Sequence, residues 1–270
     1  MSHLSYSQVD TLLSCGEKYR LTRIVGIPED PAWWFLGGSA VHTATEWFDI
    51  GGSSHLPAAE LFERALDEQL TDVDESTVRA GGRASKDYPD GENRDWWMVN
   101  GPVFVQAWID WREQNPNLAL LELPGAVPGV EVAVTALSPD GVALKGYIDR
   151  IFVDIEAGQL LIVDLKTGRN TPPSSLQLDF YRYALSQTLG LHADFGGYWM
   201  ARRGTLDKVH TLWRSDQQIE SMLRLARTMI DGELFIPHLT SLCGSCGVRE
   251  HCSAYTPTTI TNTTVSMETV

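Results

Sequence analysis

The chain is poor in cysteine, poor in basic residues and without a long apolar run. Only four of its 270 residues are cysteine, Cys15, Cys243, Cys246 and Cys252, and a reducing cytosol disfavours disulfides between them. Lys and Arg number 21 against 35 Asp and Glu, a formal charge of −14. That excludes a broad basic surface for nucleic acid but leaves room for a local groove, for which Arg79, Arg83, Lys86, Arg94, Arg169, Arg182, Arg202 and Arg203 are candidates. No apolar run reaches the ~20 residues that span a bilayer. Residues 1–5 lack the basic region and apolar stretch of a signal peptide. The expectation is a cytoplasmic protein with no membrane contact. No G-x-x-x-x-G-K-[ST] occurs, so a P-loop motor is excluded, and no internal repeat is visible. Apolar content of 43% and charged content of 21% describe a globular chain. Its length allows one elaborated domain, or one domain and a small lobe.

What is present begins with helices. Ser5 with Gln8 reads as a capping box for a helix carrying Val9, Leu12, Leu13 and Cys15 to about Tyr19. Gly37-Gly38-Ser39 precedes a second helix over 40–48, and Pro57 opens a third. Residues 71–91 are polar and glycine-containing, the pattern of a mobile loop. A helix over 96–113 puts Trp97, Phe104, Trp108 and Trp111 on one face. The pattern then changes: a strand over 130–137, a turn at Ser138-Pro139-Asp140-Gly141, and further strands over 142–154, 160–167, 195–202 and 208–213. Helices are expected over 174–189 and from Ser215 or Asp216 to about Asp231. The Thr-rich tail 256–270 has no apolar period and is expected to be disordered.

Two stretches carry the chemistry, Gly146-Tyr147-Ile148-Asp149-Arg150 and Ile162-Val163-Asp164-Leu165-Lys166-Thr167-Gly168. Ile155-Glu156-Ala157-Gly158 between them fits a four-residue hairpin loop. With that loop Asp154 faces Gln159 and Asp149 lies opposite Asp164, Cβ atoms roughly 4.5–5.5 Å apart. The period of two adds Lys166 to the same face. Two carboxylates this close repel unless a cation lies between them, and Mg²⁺ or Mn²⁺ suits hard oxygen ligands. An ordinary hairpin with solvated charges would not run Ile162, Val163 and Leu165 beside the acids, since that strand is mostly buried.

Other residues could join this site. His42 and Glu46 are one helical turn apart and share a face; imidazole is a good Mn²⁺ ligand. Glu131 comes next to Asp149 if the 138–141 turn forms a hairpin, either as a substrate-side acid or as an exposed strand residue. Gln177 and Tyr181, four apart on a helix, would both face the strand ends, where they could position a phosphate or a base. One member each of Trp33-Trp34 and Trp96-Trp97 is expected at the surface, where it could stack single-stranded bases. Cys243-x2-Cys246-x5-Cys252 with the distant Cys15 reads as four thiolates on one metal centre. Spacing alone allows zinc or iron–sulfur.

Taken in order, these residues resemble the RecB-like branch of the PD-(D/E)XK nuclease superfamily. Leu4-Ser5-Tyr6-Ser7-Gln8 with Cys15 resembles the family's N-terminal helix, and residues 38–46 its histidine motif. The Asp149 and Asp164-Leu165-Lys166 stretches resemble the two core motifs, and Gln177-x-x-x-Tyr181 the motif on the following helix. The split cysteines resemble the iron–sulfur subgroup, which includes CRISPR-associated RecB-like exonucleases and stand-alone phage relatives. The resemblance implies an α/β, restriction-endonuclease-like mixed sheet flanked by helices. It divides the chain into a helical N-terminal part (1–120), a nuclease core (121–235), an iron–sulfur segment (236–255) and the tail. It implies Mg²⁺ or Mn²⁺ held by His42, Asp149, Asp164 and the Leu165 carbonyl. Lys166, Gln177 and Tyr181 complete the catalytic set, and a [4Fe–4S] cluster sits on Cys15, Cys243, Cys246 and Cys252. The implied activity is exonucleolytic hydrolysis of DNA, single-stranded or with free ends, in recombination, repair or CRISPR-type processing. A protein partner would compensate for the acidic surface, and a phage-encoded chain would work in the host cytoplasm. A structure-specific endonuclease and a non-catalytic DNA-end adaptor are the alternatives.

Overall fold

The computed structural model describes residues 3–51, 55–82 and 84–255. The tail 256–270 lies outside them. The first half is helical, as expected: α1 (Tyr6–Ser14), α2 (Gly16–Tyr19) with a π turn after it, α3 (Trp33–Ile50), α4 (Ala58–Leu70) and α5 (Arg94–Gln114). Strands β1 (Leu118–Leu120), β2 (Glu122–Leu123), β3 (Val127–Pro128), β4 (Val130–Leu137), β5 (Ala143–Asp154) and β6 (Gln159–Lys166) follow. Then come α6 (Leu176–Leu189), β7 (Phe195–Met200), β8 (Thr205–Leu206), β9 (His210–Thr211) and α7 (Asp216–Asp231).

The sheet is mixed. On one edge of β5 run β4 and β1, antiparallel; on the other runs β6, also antiparallel. β7 pairs parallel with β6 after the α6 crossover, and β8 and β9 pair antiparallel with β7. Each face buries its own apolar core. One is built with α1, α6 and α7, around residues such as Val9, Phe180, Tyr183 and Leu223. The other is built with α3, α4 and α5, around Val41, Phe62, Trp97 and Trp108. The result is a three-layer sandwich with the sheet in the middle.

Two helices depart from expectation for the same reason. α3 begins at Trp33, and Gly37 and Gly38 lie inside it. They serve close approach: a Cβ on Gly37 would sit 2.1 Å from the Trp97 ring, and one on Gly38 3.0 Å from Thr167 Oγ1. The first helix breaks at Cys15, whose backbone is extended (φ −162°). There the Gly16 N–H donates to the Ile236 carbonyl (2.9 Å), and a Cβ on Gly16 would lie 2.6 Å from Ile236 N. The break thus brings Cys15 against the C-terminal segment.

The segment expected to be a mobile loop is anchored at two of its described residues. Arg79 and Gly81 bridge to Ala32 and Glu92. The buried Glu92 accepts hydrogen bonds from Arg169 and Arg202. Of the strand expected over 208–213, only β9 forms. Among the described residues no helix is long and apolar enough to cross a membrane.

Candidate active site

The β5–β6 hairpin has the register read from the sequence. Asp154 pairs with Gln159, Arg150 with Val163, and one step further Asp149 stands across from Asp164. At that point the ladder gives way: the Leu165 N–H donates to Asp149 Oδ2 (2.7 Å). In a strand, the N–H and C=O of one residue point to the same edge, so the Leu165 carbonyl also faces the acids. Lys166 Nζ lies 2.6 Å from Asp164 Oδ2. Gln177, from α6, donates through Nε2 to Asp164 Oδ1 (2.7 Å) and to the Tyr181 hydroxyl (3.0 Å). His42 reaches in from α3, with Nδ1 3.5 Å from Asp149 Oδ2. These contacts link His42, Asp149, Asp164, Leu165, Lys166, Gln177 and Tyr181 into one cluster, while Asp164 lies outside the group of donor atoms that converge within 4.8 Å.

Glu131 belongs there too. Donor atoms of His42, Glu131 and Asp149 all lie within 4.8 Å of one another. Glu131 is opposite Asp149 across β4 and β5, yet its φ is +46°, a left-handed conformation that costs a non-glycine residue about 1–3 kcal/mol.

Burial is the main influence on these acids. Burial, with repulsion from Asp149, raises Glu131 to about 7. Burial raises Asp164 to about 6 against the pull of Lys166, and raises Asp149 as well. Burial lowers His42 to about 4, so its imidazole is neutral near pH 7 and keeps a lone pair for a ligand. For Lys166, burial works against the charge, but the Asp164 carboxylate outweighs it and holds the ammonium. An acid–acid–imidazole set with a strand carbonyl at its side matches the donors that Mg²⁺ and Mn²⁺ accept.

A scan against protein-family models matches residues 3–253 to the PD-(D/E)XK nuclease superfamily. The chain belongs to this nuclease superfamily. Two curated phage proteins are similar to it. The Gene 69 protein of Mycobacterium phage D29 is 28% identical over 212 residues, 73% of this chain and 74% of that protein. The Gene 69 protein of Mycobacterium phage L5 is 24% identical, covering 93% and 96%. A solved structure described as the crystal structure of SSO0001 aligns at 12% identity over 94% of this chain and 87% of its own, with a TM-score of 0.40.

The superfamily site is held from behind by a residue given no role from sequence. Arg150 is fully buried; it pairs with Asp49 (Nε–Oδ2 2.6 Å) and donates to Thr45 Oγ1 (3.1 Å), both on α3, and to the Asp149 carbonyl (2.7 Å). It fixes the histidine helix against the strand that bears Asp149. Its signal was visible: an arginine inside Ile148–Val153, where a lone charge is costly, must have a buried partner. The groove arginines fare differently, because most are spent on the chain's own acids. Arg94 pairs with Glu75, Arg169 and Arg202 with Glu92, Arg182 with Asp216, and Arg203 with Asp207.

The four cysteines converge as well. Cys15, Cys243, Cys246 and Cys252 line one largely apolar pocket with Leu21, Pro237 and Val248. Backbone N–H groups of His238 and Thr240 donate to the sulfurs of Cys15 and Cys243, both at 3.4 Å.

Proposed function

We propose that the chain is a divalent-metal-dependent DNA exonuclease that hydrolyses phosphodiester bonds of single-stranded DNA or DNA ends in recombination, repair or CRISPR-type processing. One observation carries the reading: His42, Glu131 and Asp149 converge within 4.8 Å while Lys166 sits on Asp164 at the same strand ends. His42, Asp149, Asp164 and the Leu165 carbonyl would hold the metal, with Glu131 as a further acid. Once bound, the metal supplies a Lewis acid for the phosphate and lowers the pKa of attacking water. Lys166 puts a fixed positive charge where the phosphate gains negative charge. Gln177 keeps Asp164 oriented, and Tyr181 faces the groove where the phosphate would lie. End-labelled linear DNA and circular single-stranded DNA, each with Mg²⁺ or Mn²⁺, test the exonuclease claim. Loss of linear DNA only is expected, whereas cutting of circles makes the chain an endonuclease.

The cysteine pocket supports a [4Fe–4S] cluster on Cys15, Cys243, Cys246 and Cys252, with the same division into a helical part (1–120), core (121–235) and cluster segment (236–255). N–H donors on two sulfurs favour thiolate charge. Protein purified without air should be brown and carry about four irons per chain. A single stoichiometric zinc would remove the cluster and leave the nuclease reading intact.

A further inference from the structure

We propose that Trp34, with Arg79 and Arg249 beside it, forms a subsite that stacks one base of single-stranded DNA on the approach to the His42–Asp149 centre. The inference rests on the nuclease reading and specifies how its substrate is held. Trp34 is in the first turn of α3, eight residues before His42, about 12 Å along the helix axis. Its neighbour Trp33 is 4% exposed, but Trp34 is 41% exposed and Phe35 66%.

The Trp34 ring is held in place and still 41% exposed. The Arg79 guanidinium lies 5.2 Å from its centroid, and the Gly81 backbone packs so closely that a Cβ there would be 2.5 Å from the ring. A platform ordered in advance costs little to use. Trp34 also borders two hollows. One contains His42, Glu131 and Phe35; the other contains Arg79, Ser245 and Arg249. The ring therefore stands between the acidic centre and a hollow where Arg79 is paired with Asp30 (3.5 Å) and Arg249 supplies the charge.

Charge points the same way. The Arg249 Nη1 donates to the Gly244 carbonyl, and among the described residues no carboxylate lies within salt-bridge distance of this arginine, so its remaining donors are open to a phosphate. On the far side of the centre Lys145, also without an acid partner among the described residues, lines the groove that holds Asp149 and Tyr181. A strand laid along this path meets a cation, an aromatic face, the acidic centre and a second cation in turn. Stacking on a ring requires an unpaired base, which selects a single strand.

The test is binding of fluorescent oligothymidylate in Ca²⁺, with cleavage in Mg²⁺ or Mn²⁺ measured separately. Base–aromatic stacking implies that Trp34→Ala binds roughly 5- to 150-fold more weakly, and that Trp34→Phe keeps most of the affinity. Moving one abasic spacer along the oligonucleotide should weaken wild-type binding at one position and leave Trp34→Ala indifferent to it. Arg249→Ala should flatten the logarithmic salt dependence by about 0.7, one phosphate on a single strand. Unchanged affinity and an unchanged spacer profile in Trp34→Ala overturn the subsite, whatever the cleavage result. Normal binding changes without any cleavage by wild type would overturn the nuclease reading instead and leave the subsite standing.

Discussion

Glu131 carries two costs at once, a left-handed backbone and a carboxyl raised to about 7 by burial and Asp149. The folded chain holds this proton above the pH at which the unfolded chain releases it. Between pH ~4.5 and ~7 the native state therefore binds more protons, and this group's contribution makes stability fall as pH rises. Glu131→Gln removes that dependence. In metal-free protein its Tm advantage over wild type should be absent near pH 5 and grow toward pH 8. The expected gain is roughly 2–6 °C for about 1–2 kcal/mol, measured by calorimetry at both pH values. An advantage independent of pH would assign it to packing. Lys166 makes a separate prediction. Lys166→Ala should bind the divalent ion as well as wild type by calorimetry but lose roughly 10²–10³-fold in kcat, the usual loss when a charge-stabilising group is removed. A weakened metal affinity with an unchanged rate would make Lys166 part of the metal's support instead. At this scale the sequence was most readable where one residue type has one use. An Asp, then Asp-x-Lys on a buried strand, leaves few alternatives. Glu131 was ambiguous because strand alternation says which face a residue is on but not that its φ is inverted.

At the scale of elements, the β5–β6 hairpin was legible because a period of two and a four-residue loop fix register together; a slip of one would have turned every buried residue outward. α3 was misread at its start because glycine is ambiguous in sequence. Gly37-Gly38 suggested a break, but they are where helices α3 and α5 and the Thr167 turn come closest. This reverses the usual sign of a substitution. A helix-interior Gly→Ala ordinarily stabilises by about 1 kcal/mol, yet Gly37→Ala would drive a methyl into the fully buried Trp97 ring. Overpacking of this kind costs about 1–3 kcal/mol. Thermal melts should show Gly37→Ala below wild type by about 2–8 °C; a higher Tm would contradict the contact. Activity should fall with stability, since the same helix presents His42 and Trp34.

For the whole molecule, the layers follow from an amphipathic helical half and a strand-rich half, and that division was readable. What the sequence could not supply was where the chain's ends meet. The Gly16–Ile236 contact needs a backbone approach that only the fold reveals, although the split cysteines hinted at it. A centre joining Cys15 to Cys243, Cys246 and Cys252 closes nearly the entire chain, and loops of that length suggest about 3–5 kcal/mol on the disulfide analogy. Cys243→Ala, handled without air, should lose colour and stability together. Loss of colour at unchanged stability would mean that the segment is held by its protein contacts alone. The acidic total and the spent arginines predict that DNA is held at few points, so affinity should be modest and the logarithmic salt dependence shallow, about 0.7 per phosphate contacted on a single strand. The paired acids at the end of the β5–β6 hairpin are the centre of the proposed chemistry. The most direct measurement is a time course on end-labelled single-stranded DNA with Mg²⁺ or Mn²⁺, comparing wild type with Asp149→Ala and Asp164→Ala, each checked by circular dichroism for an intact fold. Metal-dependent shortening by wild type and none by either variant is expected; cutting at a near wild-type rate by either one would contradict the paired-acid site.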